Sequence, residues 1–219
     1  GSLGYLGRLA ICLGNFEQAR SFTEKSLELF SEIQNILYVG YEYSTRWEID
    51  LLEGNYAQAD DQANEILSIG RRFGNLSLID RGLISLGEQA LIQGNYREAL
   101  ERFEENLAYF RKKDLREYIA RSLYYSGLTA WMNGDVERAP HLYNEALKIS
   151  REIVYTDIQE LSLAELGKIA FTRGEYDLAQ AYFEEALRIT GSDVSLFTHR
   201  DPKMITLEAL AYTLAAQDQ

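Results

Sequence analysis

The chain has 219 residues, 46% hydrophobic and 26% charged, a balance that suits a folded protein and excludes wholesale disorder. Its 22 basic and 34 acidic residues leave a net charge of −12, the opposite of a nucleic-acid binder's basic face, so no nucleic-acid partner is expected for this stretch. No apolar run approaches the ~18 residues of a membrane span, no signal-peptide layout opens the chain, and the single cysteine, Cys12, has no internal disulfide partner. A reducing, cytoplasmic location without a membrane partner is the expectation. Gly1-Ser2 reads as a cloning remnant, which makes Leu3 the expected first native residue.

Two prolines in the whole chain, with abundant Ala, Leu, Glu and Arg, favour helix throughout. The first predicted helix carries Gly7 and Ala10 and ends at Gly14-Asn15-Phe16, after which Ala19 and Leu27 lie on a second helix. The same punctuation returns as Gly54-Asn55-Tyr56 with Ala59 and Leu67, and as Gly94-Asn95-Tyr96 with Ala99 and Leu107. It returns again as Gly134-Asp135-Val136 with Ala139 and Leu147, and as Gly174-Glu175-Tyr176 with Ala179 and Leu187. These glycines stand 40 residues apart each time, and Gly7, Gly87, Gly127 and Gly167 keep the same ruler. With glycine near 7% of residues, four further glycines at one fixed spacing arise by chance roughly 2 times in 100,000. The chain is a repeat array.

Each recurring residue has a physical role. The turn glycine supplies the left-handed position that ends the first helix without a Cβ penalty. The next residue is placed to cap the second helix, and Gln18, Gln58 and Glu98, three positions on, suggest a capping box. Apolar residues recur at three and four, as in Leu83, Leu86, Ala90, Leu91 and then Tyr96, Ala99, Leu100, Phe103, Leu107. The prediction is one all-α domain over 1–219, with five helix pairs, a final unpaired helix at about 202–216, eleven helices in all and no sheet.

Three places break the pattern. In the second repeat Trp47 stands where the others have Gly, and Asp50 where they have Ala. Either the helices repack locally around a paired charge, with Arg46 the nearest cation in sequence, or a side chamber opens there. In the fourth repeat Pro140 falls just inside the second helix, where its missing N–H is tolerated. At the chain end Gly191 is expected to close a helix, and Asp201-Pro202 to cap and start the last one, on which Ala215 replaces the turn glycine. That last helix is apolar on more than one side, so the array is expected to continue beyond the chain at both ends. His141 and His199 are isolated surface residues, and with Cys12 they make no metal spacing, so neither a metal nor a cofactor is expected.

The run Leu86-Gly87, Ala90, Gly94, Tyr96, Ala99, Phe103, Leu107, and its counterpart Leu166-Gly167, Ala170, Gly174, Tyr176, Ala179, Phe183, Ala186, Leu187, resembles the tetratricopeptide repeat. The longer period is similar to that of bacterial regulators, above all the superhelical sensor region of signal-transduction ATPases like the maltose-operon activator. The resemblance implies a right-handed superhelical solenoid of antiparallel helix pairs, with the first helix of each pair lining a concave binding face. Carried over by register, that face includes Arg81, Ile84, Glu88 and Leu91, then Arg121, Tyr124, Leu128 and Trp131. It continues through Leu161, Ala164, Lys168 and Phe171, and in the second repeat through Tyr41, Ser44, Glu48 and Leu51. The Lys and Asn set with which chaperone-binding members hold a terminal carboxylate is absent.

Arg81 and Arg121 are expected side by side, either as a carboxylate or phosphate clamp or as partners of Glu88 and Glu117. Tyr124 and Trp131 are either groove or core. A secondary candidate site is Tyr41, Trp47 and Asp50. The function this supports is a non-catalytic binding module, the sensor or interaction domain of a larger cytosolic regulator, taking a protein, a peptide or a small-molecule inducer. A general assembly scaffold is one alternative. An acid–base enzyme using Glu48, Asp50 and Glu88 is the alternative from a different class, although no nucleophile–base pair or phosphate loop accompanies them. Weak self-association is expected through apolar stripes on the end helices, Leu3, Leu6 and Leu9 at one and Leu207, Leu210 and Leu214 at the other.

Overall fold

The structure, a computed structural model, describes residues 2–189 and 202–217. These form the expected eleven helices, with no strand among the described residues: α1 (Ser2–Cys12), α2 (Phe16–Glu32), α3 (Ile36–Leu52), α4 (Tyr56–Phe73), α5 (Leu76–Ile92), α6 (Tyr96–Arg111), α7 (Arg116–Met132), α8 (Arg138–Ile153), α9 (Thr156–Thr172), α10 (Tyr176–Ile189) and α11 (Pro202–Gln217). The helix end assigned to Gly191, His199 and the cap at Asp201 lie outside the described residues. The chain divides into two compact units, Gly1–Glu105 and Asn106–Gln219, each described by itself.

From α1 to α5 and from α7 to α11 each helix packs on the next one in sequence, and α1, α3 and α5, like α7, α9 and α11, also touch in succession. In each unit the odd-numbered helices therefore form a row of first helices, with α2 and α4 packed against it as second helices in the first unit and α8 and α10 in the second. Size complementarity holds the pairs together. A Cβ on Gly127 would come within 2.9 Å of the Tyr143 ring, and one on Gly167 within 2.5 Å of Phe183; Gly87 is closed in the same way by Phe103. In the second repeat the sizes are exchanged. Trp47 replaces the glycine and is buried, and Ala63, at the register of those aromatic rings, is fully buried too. The indole does not swing out into solvent, and the small residue at the partner position leaves it room.

All nine described turns, from α1 to α10, place one residue in the left-handed region: Gly14, Gln34, Gly54, Gly74, Gly94, Asp114, Gly134, Val154 and Gly174. At the third repeat the Gly94 N–H donates to Leu91 C=O at 3.1 Å and the Asn95 N–H to Ala90 C=O at 2.8 Å. This pair of bonds defines a Schellman motif, and it recurs at each of the other turns. It also corrects the capping-box expectation. The backbone N–H of Asn15, Asn55 and Asn95 already donates to the carbonyl of Ala10, Asp50 and Ala90, so it is not left to donate to the side chain of Gln18, Gln58 or Glu98. The Gln18 side chain instead accepts from the Asn15 side-chain amide at 3.1 Å. Asn15, Asn35 and Asn75 cap through their carboxamide oxygens, and Asp135 accepts the Arg138 N–H at 3.1 Å. Asn55 makes no such cap and points at Asp50 and Glu53. Pro140 lies five residues past the Asp135 cap, where an N–H would have donated to Val136 C=O. That one bond is lost, α8 starts only at Arg138, and Arg173 donates to the freed Val136 carbonyl at 3.2 Å.

Candidate functional site

The first helices bury one side against the second helices and leave three columns of residues half-exposed, repeated at the same register. The first column holds Tyr41, Arg81, Arg121 and Leu161, and the second Glu48, Glu88, Leu128 and Lys168. The third holds Leu51, Trp131 and Phe171, with Leu91 buried at its fourth place. A fourth expected column is corrected: Ser44, Ile84, Tyr124 and Ala164 are all buried, because their angle on the helix turns them toward the neighbouring helices. Tyr124 packs against Tyr143, with ring centroids 5.8 Å apart, and is therefore core. Tyr125 and Glu165, one residue further on, hold the half-exposed places in the second unit. The period of the helix showed which columns exist, but a 100° ambiguity in their phase decided which residue of each adjacent pair faces out.

Arg81 belongs to the first unit and Arg121 to the second. Arg121 is the best-defined cation of the face. Its Nε donates to the Tyr155 hydroxyl at 3.2 Å and its guanidinium lies 3.6 Å from Glu117. It sits over the Tyr118 ring at 5.9 Å and the Tyr155 ring at 5.7 Å, while Tyr118 stacks on Phe110 at 4.3 Å. Burial pushes the Tyr155 phenol above its usual pKa, and Arg121 opposes the shift by favouring the phenolate. The guanidinium thus ties α7 to the start of α9. Glu117 was foreseen as its partner, but Tyr155, 34 residues on, was missed. Lys168 is paired with Glu165 at 2.7 Å, and Phe171 packs beside Tyr176 at 5.5 Å and against the cluster of Ala170, Ala179 and Phe183.

In the second repeat Asp50 is only 2% exposed, and its partner is not Arg46. Arg20 reaches it from α2 at 2.6 Å and also holds Glu53 at 2.6 Å. Gln62 donates to its other oxygen at 2.6 Å. A carboxylate so enclosed pins α2, α3 and α4 together. Trp47 Nε1 is buried without a hydrogen-bond partner, and Tyr41 lies at the edge of Tyr38, 6.3 Å away. About two turns before Asp50 on the same helix, the Glu42 carboxyl is buried, accepting from the Ser26 hydroxyl at 2.8 Å while Oε2 has no partner. Burial raises its pKa against the opposing effect of Ser26. The fourth repeat holds a similar anomaly. Tyr143 takes the place of Phe103 and Phe183, and its fully buried hydroxyl has no partner.

Among the described residues no group of His, Cys, Asp and Glu is placed to hold a metal. No helix among them is long and apolar enough to cross a membrane. On the end helices Leu6, Leu9, Leu207 and Leu214 are exposed, whereas Leu210 packs against the Phe183 cluster.

Helix pairs closed by glycine under an aromatic ring, at a sequence period of 40 residues, define a helix-pair repeat protein. Residues 78–152 and 162–193 match the tetratricopeptide repeat family, and the chain belongs to the tetratricopeptide-repeat superfamily. Proteins of this kind are protein-interaction modules and generally non-catalytic scaffolds. No curated protein matches the chain in sequence. Solved structures share the fold. BtubC (BKLC) from P. vanneervenii has a TM-score of 0.75 at 18% identity, over 93% of this chain and 84% of its own. A signal transduction ATPase with numerous domains, carrying a tetratricopeptide repeat sensor, from Pyrococcus horikoshii has a TM-score of 0.71 at 17% identity. That match covers 98% of this chain but only 31% of the ATPase. The apo form of RapI has a TM-score of 0.68 at 14% identity, covering 99% and 96% of the two chains.

Proposed function

We propose that the chain is a peptide- or protein-binding module that uses the open face of its first helices, within a larger cytosolic bacterial regulator where it serves as the sensor or interaction domain. The supporting observation is the half-exposed columns, which keep the same register from repeat to repeat while their chemistry changes from Tyr41 to Arg81, Arg121 and Leu161. Side chains that neither fill the core nor vary in position, only in type, form a surface able to read a sequence. In the second unit this surface joins a cation, Arg121, to a large aromatic, Trp131, with Leu128 between them and Lys168 and Phe171 on the next first helix. In the first unit it offers Arg81 and Glu88. The fold likeness to a tetratricopeptide repeat sensor of a signal-transduction ATPase supports the regulatory assignment. Weak self-association through the exposed Leu6, Leu9, Leu207 and Leu214 accompanies this reading.

Peptides selected from a random display library against the whole chain test the assignment. Trp47 is buried and Trp131 half-exposed, so binding at this face is expected to shift the emission of Trp131. Arg121→Gln with Trp131→Ala is expected to weaken the selected peptides by about tenfold or more at unchanged helical content. Equal affinity for the well-folded double variant would refute the face.

A further inference from the structure

The second helices carry a ladder of ion pairs. Arg71 reaches Glu105, Arg111 reaches Glu145 at 2.8 Å and Arg151 reaches Glu185 at 2.5 Å, each spanning 34 residues. One repeat earlier the donor place falls on Ser31 and the acceptor on Glu65. Glu65 is exposed and makes no ion pair among the described residues. The first rung of the ladder has an anion and no cation.

Beside that gap lies a run of exposed apolar side chains. Leu29, Ile33, Ile36 and Tyr38, around the α2–α3 turn, are 53%, 67%, 37% and 47% exposed. The other repeats are an internal control. One repeat on, the places of Ile33 and Ile36 are held by Phe73, 47% exposed under Arg72, and by the half-buried Leu76. Two repeats on they are held by Lys113 and by Arg116, which pairs with Glu152, so a cation accompanies these places in both later repeats but not in the first. Tyr38 is held in place by stacking on Phe30, with centroids 4.7 Å apart and planes 21° apart, so the patch is formed without a partner present. Glu28 and Glu32 run along its α2 side, exposed and without ion pairs among the described residues. An ordered apolar patch of this kind marks an interaction surface, and its acidic rim sets the charge of what fits it.

We infer that the first unit docks, over the α2–α3 turn, a partner protein segment whose apolar side chains are flanked by arginine or lysine. The apolar residues cover Leu29, Ile33, Ile36 and Tyr38. The cation occupies on Glu65 the place that Arg71, Arg111 and Arg151 occupy on the glutamates of later repeats. This surface spans the last turns of α2 and the first turn of α3, and it meets the first-helix face proposed above only at Tyr41, 6.3 Å from Tyr38.

The test uses the whole chain and a short fluorescein-labelled peptide carrying leucines and arginines, with a twin in which glutamate replaces each arginine. The arginine peptide is expected to bind, and the glutamate twin to bind at least about tenfold more weakly. Ile33→Ser with Ile36→Ser removes the apolar cover but keeps every charge, and is expected to weaken binding by about tenfold. Ser31→Arg supplies the missing rung from within the chain and is expected to weaken binding several-fold without lowering the melting temperature. Glu17→Gln, at the far end of α2, controls for net charge and is expected to bind like wild type. Undiminished binding by the isoleucine variant would reduce the effect to bulk charge attraction and overturn the proposal. So would Ser31→Arg binding like wild type, or no binding at millimolar peptide. Sedimentation showing self-association that the isoleucine variant abolishes would assign the patch to a second copy, and overturn it equally.

Discussion

Val154 closes α8 with φ 58° and ψ 42°, a left-handed conformation that five of the nine turns reach with glycine on one ruler and the α4–α5 turn with Gly74. For an L-residue this backbone costs about 1–2 kcal/mol, with β-branched side chains at the unfavourable end. Its side chain is 77% exposed, so almost no burial offsets the strain. Replacing it with glycine removes the Cβ clash but adds freedom to the unfolded chain, worth about 0.5–1 kcal/mol in the opposite direction. The net expectation for Val154→Gly is a gain of about 0.5–1 kcal/mol, or a rise of roughly 1–4 °C in melting temperature for a chain of this size. The reverse change, Gly74→Val, puts the same strain at the same register. A Cβ there meets nothing within 4 Å, so its expected loss of about 1 kcal/mol comes from backbone alone. Thermal and urea unfolding followed by circular dichroism measure both. A Val154→Gly chain no more stable than wild type, or a neutral Gly74→Val, would show that these turns do not select glycine by backbone strain.

The exchanged sizes in the second repeat predict coupling. Trp47→Gly alone is expected to cost about 3–5 kcal/mol and Ala63→Phe alone about 1–3 kcal/mol, whereas the double variant recovers at least about 1 kcal/mol of their sum, read from a double-mutant cycle in urea. Tyr143→Phe deletes a buried hydroxyl without a partner and is expected to stabilise by about 1 kcal/mol; a destabilised variant in the same assay would mean that the hydroxyl is satisfied. Glu42 is protonated more readily folded than unfolded. Its stabilising contribution is complete below the unfolded pKa of about 4.3 and is lost as pH rises through the higher folded value. Glu42→Gln should therefore be more stable than wild type at pH 7, with the difference vanishing near pH 4 in thermal melts.

The fold was legible in the sequence because glycine at a helix end and glycine under an aromatic ring both leave periodic, side-chain-free marks. Gly94 and Gly87 illustrate the two kinds. What escaped is instructive for the same reason. Gln34, Asp114 and Val154 adopt the same left-handed turn as Gly74, but three different residue types at one register leave no repeated letter to find. Arg20 as partner of Asp50 lay on another helix, beyond any local spacing rule, whereas Arg46 satisfied the local rule and was wrong. On the first helices, Tyr124 and Tyr125 are chemically alike and adjacent, so only the rotation of α7 about its axis, set by Tyr143 over Gly127, decided which one is core. The ion-pair ladder joins residues 34 apart in a chain whose letters repeat every 40, so self-comparison aligns its donors and its acceptors but never pairs them.

The left-handed residues at 14, 34, 54, 74, 94, 114, 134, 154 and 174 stand 20 residues apart, half the period of the sequence. At the level of the backbone, then, the turn inside a repeat and the turn between repeats are the same object, and the main chain does not know which helix is a first and which a second. That distinction is written entirely in side chains, with ring-on-glycine pairs on one alternation and arginine-to-glutamate pairs on the other. A duplication of 20 residues would keep every turn intact and yet turn all downstream first helices into second ones, burying charge and baring the core. A duplication of 40 would be silent. An array of this kind can lengthen only by whole pairs, and what guards its frame is the alternation of glycine and aromatic residues, since the turns themselves would accept either.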